Sequence, residues 1–208
     1  MGRQIALQIA AHQLPVTLYD INNAALEHAQ IMIAGYLTEW ASSGKIATGQ
    51  DTQILEYLRY TTDLATAVQA VDLVIESVPE KMDIKRHMFK QLDTLLPSDA
   101  IIATNSSSMR VSLLEDATER PEAVANLHFY GPVWHSPMVE IGGGSQTNAE
   151  VLDALTQFAR NIEMLPLRVL TESTGFIFNR VWRAIKKEVL AVADSGVASI
   201  EDIDRAWM

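Results

Sequence analysis

Residues 1–20, MGRQIALQIAAHQLPVTLYD, predict an amphipathic helix followed by a short strand that leads to an acidic residue. Gly2 stands at the start of the helix, Pro15 ends the helical spacing, and Asp20 follows the β-prone residues 16–19. This order is typical of the second half of a dinucleotide-binding βαβ unit. The earlier glycines of G-x-G-x-x-G would lie before Gly2. We therefore expect that the first strand of the unit is missing and that the natural chain is longer at both ends.

The composition excludes several classes of function. The 208 residues are 48% hydrophobic and 20% charged, which suits one globular domain and part of another. The absence of cysteine excludes disulfides and thiolate chemistry. The 16 basic and 26 acidic residues give a net charge of -10, which argues against a nucleic-acid partner. The sequence has no apolar run of membrane-spanning length and no secretory signal pattern, so we expect a cytoplasmic protein without a membrane partner.

Strand and helix patterns alternate along residues 1–170 and predict a doubly wound α/β sheet. Two apolar segments, VDLVIESV (71–78) and AIIATNSSS (100–108), are typical of parallel strands that are buried on both faces. We therefore expect residues 1–170 to form a dinucleotide-binding domain.

Residues 171–208 have a helical pattern and predict the beginning of an all-helical domain that the end of the chain interrupts. The stretch 173–196, STGFIFNRVWRAIKKEVLAVADSG, predicts one long apolar helix with Gly196 at its C-terminal cap. A second helix begins in residues 199–208 with capping-box spacing. The apolar length of the first helix predicts a partner, and we expect a homodimer.

Polar side chains after the predicted strands are candidates for ligand binding, because ligands of such sheets sit at the carboxyl ends of the strands. Asp20 in this position would accept hydrogen bonds from the adenine ribose and favour NAD over NADP, although an ordinary loop aspartate explains it equally well. Glu76 and Glu80 lie at the end of the next apolar strand, and Lys85 one helical turn beyond would meet either a carboxylate or a pyrophosphate. Asn105 and the serines at 106–108 would face a ligand, although a polar turn is the commoner interpretation.

His128 interrupts an otherwise apolar strand, and Glu140 ends the next one. If these strands pair in antiparallel fashion, the carboxylate would fix the imidazole tautomer and leave the other ring nitrogen to move a substrate proton. A structural histidine with satisfied ring nitrogens is the alternative. His135 is a rival that we expect to be exposed. The five histidines lack metal-ligand spacing, so we expect no metal. The sequence also lacks the G-x-S-x-G motif that a serine hydrolase would need.

In order and spacing, Asp20 and the segments VIESVPE, TNSSS, LHFYGPV, MVEI and TGFIFNR resemble the L-3-hydroxyacyl-CoA dehydrogenase family. The resemblance implies a Rossmann-type domain followed by a helical substrate and dimerisation domain. It also implies NAD-dependent interconversion of L-3-hydroxyacyl-CoA and 3-ketoacyl-CoA, a reaction of fatty acid β-oxidation. The catalytic residues of the family map onto His128, Glu140, Ser107 and Asn179. Its cofactor contacts map onto Asp20, Glu80, Lys85 and Asn105, to which the helix-start pattern adds Gly2.

Three positions depart from the family pattern. Gly131 replaces an asparagine, and Thr174 replaces a proline. The helix after Asp20 lacks a clear counterpart of the residues that contact CoA, since Lys45 is nearby but not clearly aligned with them. Relatives that oxidise free hydroxy acids, including gulonate and carnitine dehydrogenases, share most of the motifs, so such a substrate stays open beside acyl-CoA. A non-catalytic NAD-binding protein is a third alternative, and its expected signature is the loss of the histidine, glutamate, serine and asparagine that are present here.

Overall fold

The computed structural model describes residues 1–207. The helices are α1 (Gly2–Ala11), α2 (Asn23–Ser42), α3 (Gln50–Glu56), α4 (Leu64–Val68), α5 (Met82–Leu95), α6 (Ala149–Asn161), α7 (Phe178–Asp194) and α8 (Ile200–Trp207). The strands are β1 (Val16–Tyr19), β2 (Leu58–Thr61), β3 (Leu73–Glu76), β4 (Ile101–Thr104), β5 (Val124–Phe129), β6 (Met138–Gly143) and β7 (Leu165–Val169). Three short 3₁₀ turns lie between β4 and β5, at Val111–Leu113, Glu115–Ala117 and Pro121–Ala123.

Strands β3 to β7 form one sheet in chain order, and β1 pairs with β2 in a separate parallel ribbon. Strands β3, β4 and β5 run parallel, so their carboxyl ends lie at one edge. Strand β6 is antiparallel to β5, and β7 is parallel to β6 after the crossover through α6. The predicted doubly wound α/β class, followed by helices, is confirmed.

Helices cover both faces of the five-stranded sheet, as its apolar strands require. On one face, Ile5 and Ile9 of α1 and Leu155 of α6 pack with buried residues of β4, β5 and β6. On the other face, Phe89 and Leu92 of α5 pack with residues of β4 and β5. Each of these side chains is almost completely buried, and full burial of a side chain of this size stabilises a fold by about 1.5–3 kcal/mol.

Helix α1 is buried on two sides. Its Ile5 and Ile9 face the sheet cluster, whereas Leu7 and Ala10 pack against Ile33 and neighbouring residues of α2. The helix therefore joins the β1–β2 ribbon to the main sheet. This position brings the N-terminus of α1 to the edge where β3, β4 and β5 end.

The helix predicted over residues 173–196 begins only at Phe178, so the prediction of its start was wrong. The preceding turn contains Gly175 with a φ of 81° and Phe176 with a φ of 47°. These left-handed values are incompatible with an α-helix. The prediction of its end is confirmed, because Gly196 with a φ of 68° directly follows the last helical turn.

Two short helices, α3 and α8, can also be set against the sequence pattern. Helix α3 occupies a stretch that the sequence pattern indicates only as a polar connection, because Ile54 is its one buried residue. The capping-box prediction at the start of α8 is confirmed, since the Asp202 amide donates to the Ser199 hydroxyl at 3.2 Å. Within residues 1–207, no helix combines the length and the apolar character needed to cross a membrane.

Candidate active site

A pocket of about 260 Å³ opens where β3, β4 and β5 end. The residues that line it include Met1, Ser77, Glu80, Asn105, Ser107 and His128. Because neighbouring parallel strands end at the same edge, polar residues that follow β3 and β4 meet the end of β5 there. Five residues predicted for the site, namely Glu80, Lys85, Asn105, Ser107 and His128, thus line one pocket.

His128 and Glu140 occupy directly opposed positions of the antiparallel pair β5–β6. The Nδ1 atom of His128 lies 3.0 Å from Oε2 of Glu140, and both side chains are buried. The two residues therefore meet as the strand pattern predicts. An ionised carboxylate only accepts hydrogen bonds, so Nδ1 carries the proton and Nε2 of the neutral imidazole is left as the acceptor. This tautomer suits a general base that faces the pocket.

Four donors surround the Glu140 carboxylate. Besides His128, the Tyr130 hydroxyl donates to Oε2 at 2.6 Å, and the backbone amides of Ile177 and Phe178 donate to Oε1 at 2.8 Å each. Burial acts to raise the pKa of Glu140, but the hydrogen bonds from the two side chains and the two amides outweigh it and lower the pKa. Glu140 therefore stays ionised, and it joins β6 to the first turn of α7.

Asn105, Ser107 and Asn179 lie at the same end of the sheet. The Asn105 side-chain oxygen accepts from the Phe129 amide at 2.8 Å, which joins the ends of β4 and β5. The Asn179 amide donates to the Ser107 carbonyl at 3.4 Å and so connects α7 to the loop after β4. The predicted polar residues that follow β4 and the predicted asparagine of α7 are thus brought together, and Asn105 and Ser107 line the pocket.

Lys85 is buried and is paired with carboxylates, which is one of the two alternatives that its position predicts. Its ammonium lies 2.9 Å and 3.0 Å from the two oxygens of Glu76 and 3.3 Å from Glu80. Glu80 also accepts from the Ser106 hydroxyl at 2.5 Å and from the Ser108 hydroxyl at 2.9 Å. Burial opposes the ionisation of Glu80, but these serines and Lys85 lower its pKa overall.

Gly2 and Asp20 lie at the starts of two helices. Gly2 is the first residue of α1, and no side chain caps the N-terminus of this helix. The first backbone amides of α1 can therefore donate hydrogen bonds to an anion. A Cβ on Gly2 would meet the Ser77 side chain at an ordinary 3.8 Å. Asp20 follows β1 and accepts from the Asn22 amide at 2.9 Å, in a turn that leads into α2. The uncapped α1 terminus beside Asn105 and Ser107 fits a dinucleotide phosphate.

The sequence patterns did not identify every residue that holds the site. Asn126 donates to the carbonyls of Thr104 and Ser106, and the Tyr130 hydroxyl donates to Glu140. The sequence places Glu76 beside Glu80 at its strand end without a role, and the structure makes it the buried partner of Lys85. Asn126 had a usable signal, because it precedes His128 by two strand positions and so shares its face. Tyr130 had no such signal, since it lies after the last residue of β5.

The remaining sequence expectations concern residues around the site. His135 is exposed, as expected. Gly131 is also exposed, and a Cβ there would come within 3.1 Å of the flexible Met1 side chain. Lys45 lies over the Trp40 ring, 4.2 Å from its centre, and burial lowers its pKa. Within residues 1–207, no cluster of three or more histidine and carboxylate side chains is arranged to hold a metal.

The fold and the site together define a class. A doubly wound α/β domain with an uncapped helix N-terminus and a buried histidine–carboxylate pair at the same strand edge is typical of nicotinamide-dependent dehydrogenases. Residues 1–173 match the family model of the 3-hydroxyacyl-CoA dehydrogenase NAD binding domain, and residues 175–208 match that of the 3-hydroxyacyl-CoA dehydrogenase C-terminal domain. The chain therefore belongs to the 3-hydroxyacyl-CoA dehydrogenase family.

Relatives within this family carry different names. The chain is 39% identical over 149 residues to L-carnitine dehydrogenase of Bacillus cereus, a match that covers 72% of the chain and 46% of that protein. It is 32% identical over 206 residues to 3-hydroxybutyryl-CoA dehydrogenase of Clostridioides difficile, covering 99% of the chain and 73% of that protein. A solved diketoreductase structure superposes with a TM-score of 0.92 at 36% identity, covering 99% of the chain and 73% of its own. The chain thus spans about half to three-quarters of these proteins.

Proposed function

We propose that the protein is an NAD-dependent oxidoreductase that interconverts L-3-hydroxyacyl-CoA and 3-ketoacyl-CoA. The observation that carries the proposal is the buried His128–Glu140 pair, with the histidine at the wall of the pocket. The family match and the 3-hydroxybutyryl-CoA dehydrogenase relative support it. In this proposal, residues 1–170 bind the cofactor and residues 171–208 begin the helical domain.

The cofactor-binding part of the proposal assigns five residues. Gly2 and the first amides of α1 would hold the pyrophosphate. Asp20 would accept from the adenine-ribose hydroxyls, and Asn105, Glu80 and Lys85 would support the nicotinamide end through the loop that they order. Bound NAD would supply the acceptor or donor of a hydride.

The catalytic part assigns roles to four side chains. His128 Nε2 would take the proton of the substrate hydroxyl, and Glu140 would stabilise the resulting imidazolium through Nδ1. Ser107 and Asn179 would hold the developing charge on the substrate oxygen. Fixed donors of this kind are typically worth about 2.7–4 kcal/mol in the transition state.

A free hydroxy acid is the second candidate substrate. The 39% identity to L-carnitine dehydrogenase favours it, because this relative is named for a substrate without CoA.

We further propose that the helical segment faces a second copy of the chain. Helix α7 has no buried residue, and the apolar side chains of Ile177, just before it, and of Val181 and Leu190 within it are exposed. Light scattering during size-exclusion chromatography tests this part, and a monomeric mass at micromolar concentration would contradict it.

The decisive experiment is NADH oxidation with acetoacetyl-CoA, free acetoacetate and 3-dehydrocarnitine in parallel. Turnover of the thioester alone supports the acyl-CoA substrate, whereas turnover of a free acid alone supports the second candidate. The His128→Gln variant should lose about 10²–10⁴-fold in turnover and keep NADH binding, as measured by fluorescence. NADH binding without turnover of any keto substrate by the wild type would indicate a non-catalytic binding protein.

A further inference from the structure

Tyr130 is a third side chain that directly contacts both members of the His128–Glu140 pair. Its hydroxyl donates to Glu140 Oε2 at 2.6 Å, and His128 Nδ1 lies 3.0 Å from that same oxygen. We propose that Tyr130 is a positioning residue that orients Glu140 and moderates the basicity that Glu140 confers on His128. The inference deepens the proposed function and rests on it for the role of His128 as the base.

The tyrosine ring is held in one orientation by its neighbours. Its centre lies 4.3 Å from that of the His128 ring and 4.9 Å from that of the Phe178 ring, to which it is inclined by 69°. Because the Glu140 carboxylate is ionised and cannot donate, the phenol must be the donor. Burial, followed by the bond to Glu140, raises the pKa of Tyr130 far above its usual value, so the phenol keeps its proton.

The four donors around Glu140 differ in the carboxylate oxygen that they bind and therefore in their effect on His128. The Ile177 and Phe178 amides belong to the backbone, and both bind Oε1. The phenol of Tyr130 instead shares Oε2 with the imidazole and draws negative charge away from the oxygen that faces His128. Each donor to a carboxylate weakens its attraction for a nearby cation, so the phenol should lower the stability of the His128 imidazolium.

Other ionisable groups near the pair do not replace this effect. Glu80 and Lys85 line the pocket with His128 but are paired with each other, and the α-amino group of Met1 is half-buried at the same pocket. On β7, the residue opposite Glu140 is the uncharged Leu167. Among the described residues, the titratable groups that directly contact Glu140 are therefore His128 and Tyr130.

The test is an NMR titration of the histidine rings in the Tyr130→Phe variant, with the His128→Gln spectrum assigning the resonance. Phenylalanine keeps the ring and removes the donor. The pKa of His128 should rise by about 0.5 to 1 unit, a fraction of the shift that one hydrogen bond to a charged group represents. The Tyr60→Phe variant is the matched control, because Tyr60 is a partly buried tyrosine on β2, and it should leave the titration unchanged.

A second perturbation should shift the pKa of His128 in the opposite direction. Incorporation of 3-fluorotyrosine at position 130 makes the phenol a stronger donor and should lower the pKa of His128. This protein also keeps the inference testable if Tyr130→Phe does not fold. An unchanged His128 titration in the folded Tyr130→Phe protein, or a shift in the same direction for both perturbations, would overturn the inference.

Kinetics separate the inference from the proposed function. In the oxidation direction, the acid limb of the pH profile of kcat/KM should move to higher pH in Tyr130→Phe, while the KM for NAD stays within about twofold. If the wild type turns over none of the substrates, the proposed function fails, and the NMR titration still decides the electrostatic role of Tyr130. If the wild type is active and the variant keeps its acid limb, the inference alone fails.

Discussion

Replacement of Lys85 by methionine would show whether this residue maintains the fold or mainly serves the cofactor. Lys85 is 1% exposed, and its ammonium lies within 3.0 Å of both oxygens of buried Glu76. Methionine preserves much of the volume but removes this cation. Within residues 1–207, the Glu76 carboxylate then keeps hydrogen bonds from the Thr104 hydroxyl at 2.8 Å and the Val78 amide at 2.7 Å. Loss of one partner of a buried pair typically costs about 3–5 kcal/mol. We expect a loss of this size in the free energy of unfolding.

Urea unfolding at neutral pH measures this loss, and the chain offers a matched control on the same helix. Arg86 pairs with Asp116 on the surface, where the side chains are 31% and 71% exposed, so Arg86→Met should cost far less stability than Lys85→Met. The double variant Glu76→Gln with Lys85→Met should recover part of the loss, because it no longer leaves a buried charge without its cation.

The opposite pattern would refute this reasoning. If Lys85→Met unfolds within about 1 kcal/mol of the wild type but binds NADH much more weakly, Lys85 acts mainly on the cofactor. Intact NADH affinity in the protein that remains folded, together with the large stability loss, would assign Lys85 to the support of Glu76 and Glu80.

Three further outcomes are expected. Ser107→Ala should lower kcat/KM by about 10²–10³-fold, measured by steady-state kinetics, and an unchanged value would remove Ser107 from the charge-stabilising set. The lowered pKa of Glu140 makes its ionised form stabilise the fold above the unfolded-state pKa, and this contribution is lost as pH falls through the folded pKa. The urea midpoints of the wild type and Glu140→Gln should therefore begin to converge as the pH falls below about 4.3, the pKa of a glutamate in an unfolded chain. Gly144→Ala should cost about 1–3 kcal/mol, because its Cβ would overlap Glu115, whereas Gly35→Ala at an exposed position of α2 should gain about 0.5–1 kcal/mol. Equal thermal midpoints of the two variants would contradict both expectations.

The contact between His128 and Glu140 was predictable because strand geometry is local. Side chains alternate strictly along a strand, and a short connection between two strands of this kind restricts their pairing. The apolar residues around His128 indicate the strand, and the polarity of the two residues makes them stand out from it. The structure then places them opposite each other in the register.

Other parts of the site depend on tertiary contacts that no local pattern encodes. The sequence around Lys85 allows a carboxylate or a phosphate partner, and only the packing of α5 against β3 brings the ammonium to Glu76. The helical pattern of residues 173–177 continues into α7, yet these residues form a turn. Local propensity was overridden here because the chain must bring its amides to a carboxylate on β6.

The turn before α7 and the burial of Glu140 have one physical explanation. A carboxylate with 0% exposure is costly unless donors surround it, and one imidazole cannot supply enough of them. The left-handed backbone at Gly175 and Phe176 redirects the chain so that the amides of Ile177 and Phe178 meet the free oxygen of Glu140. The same amides are those that a helix N-terminus leaves without partners. Two otherwise unfavourable features, a buried charge and an uncapped helix, thus satisfy each other, and the position of α7 becomes part of the electrostatics of the histidine.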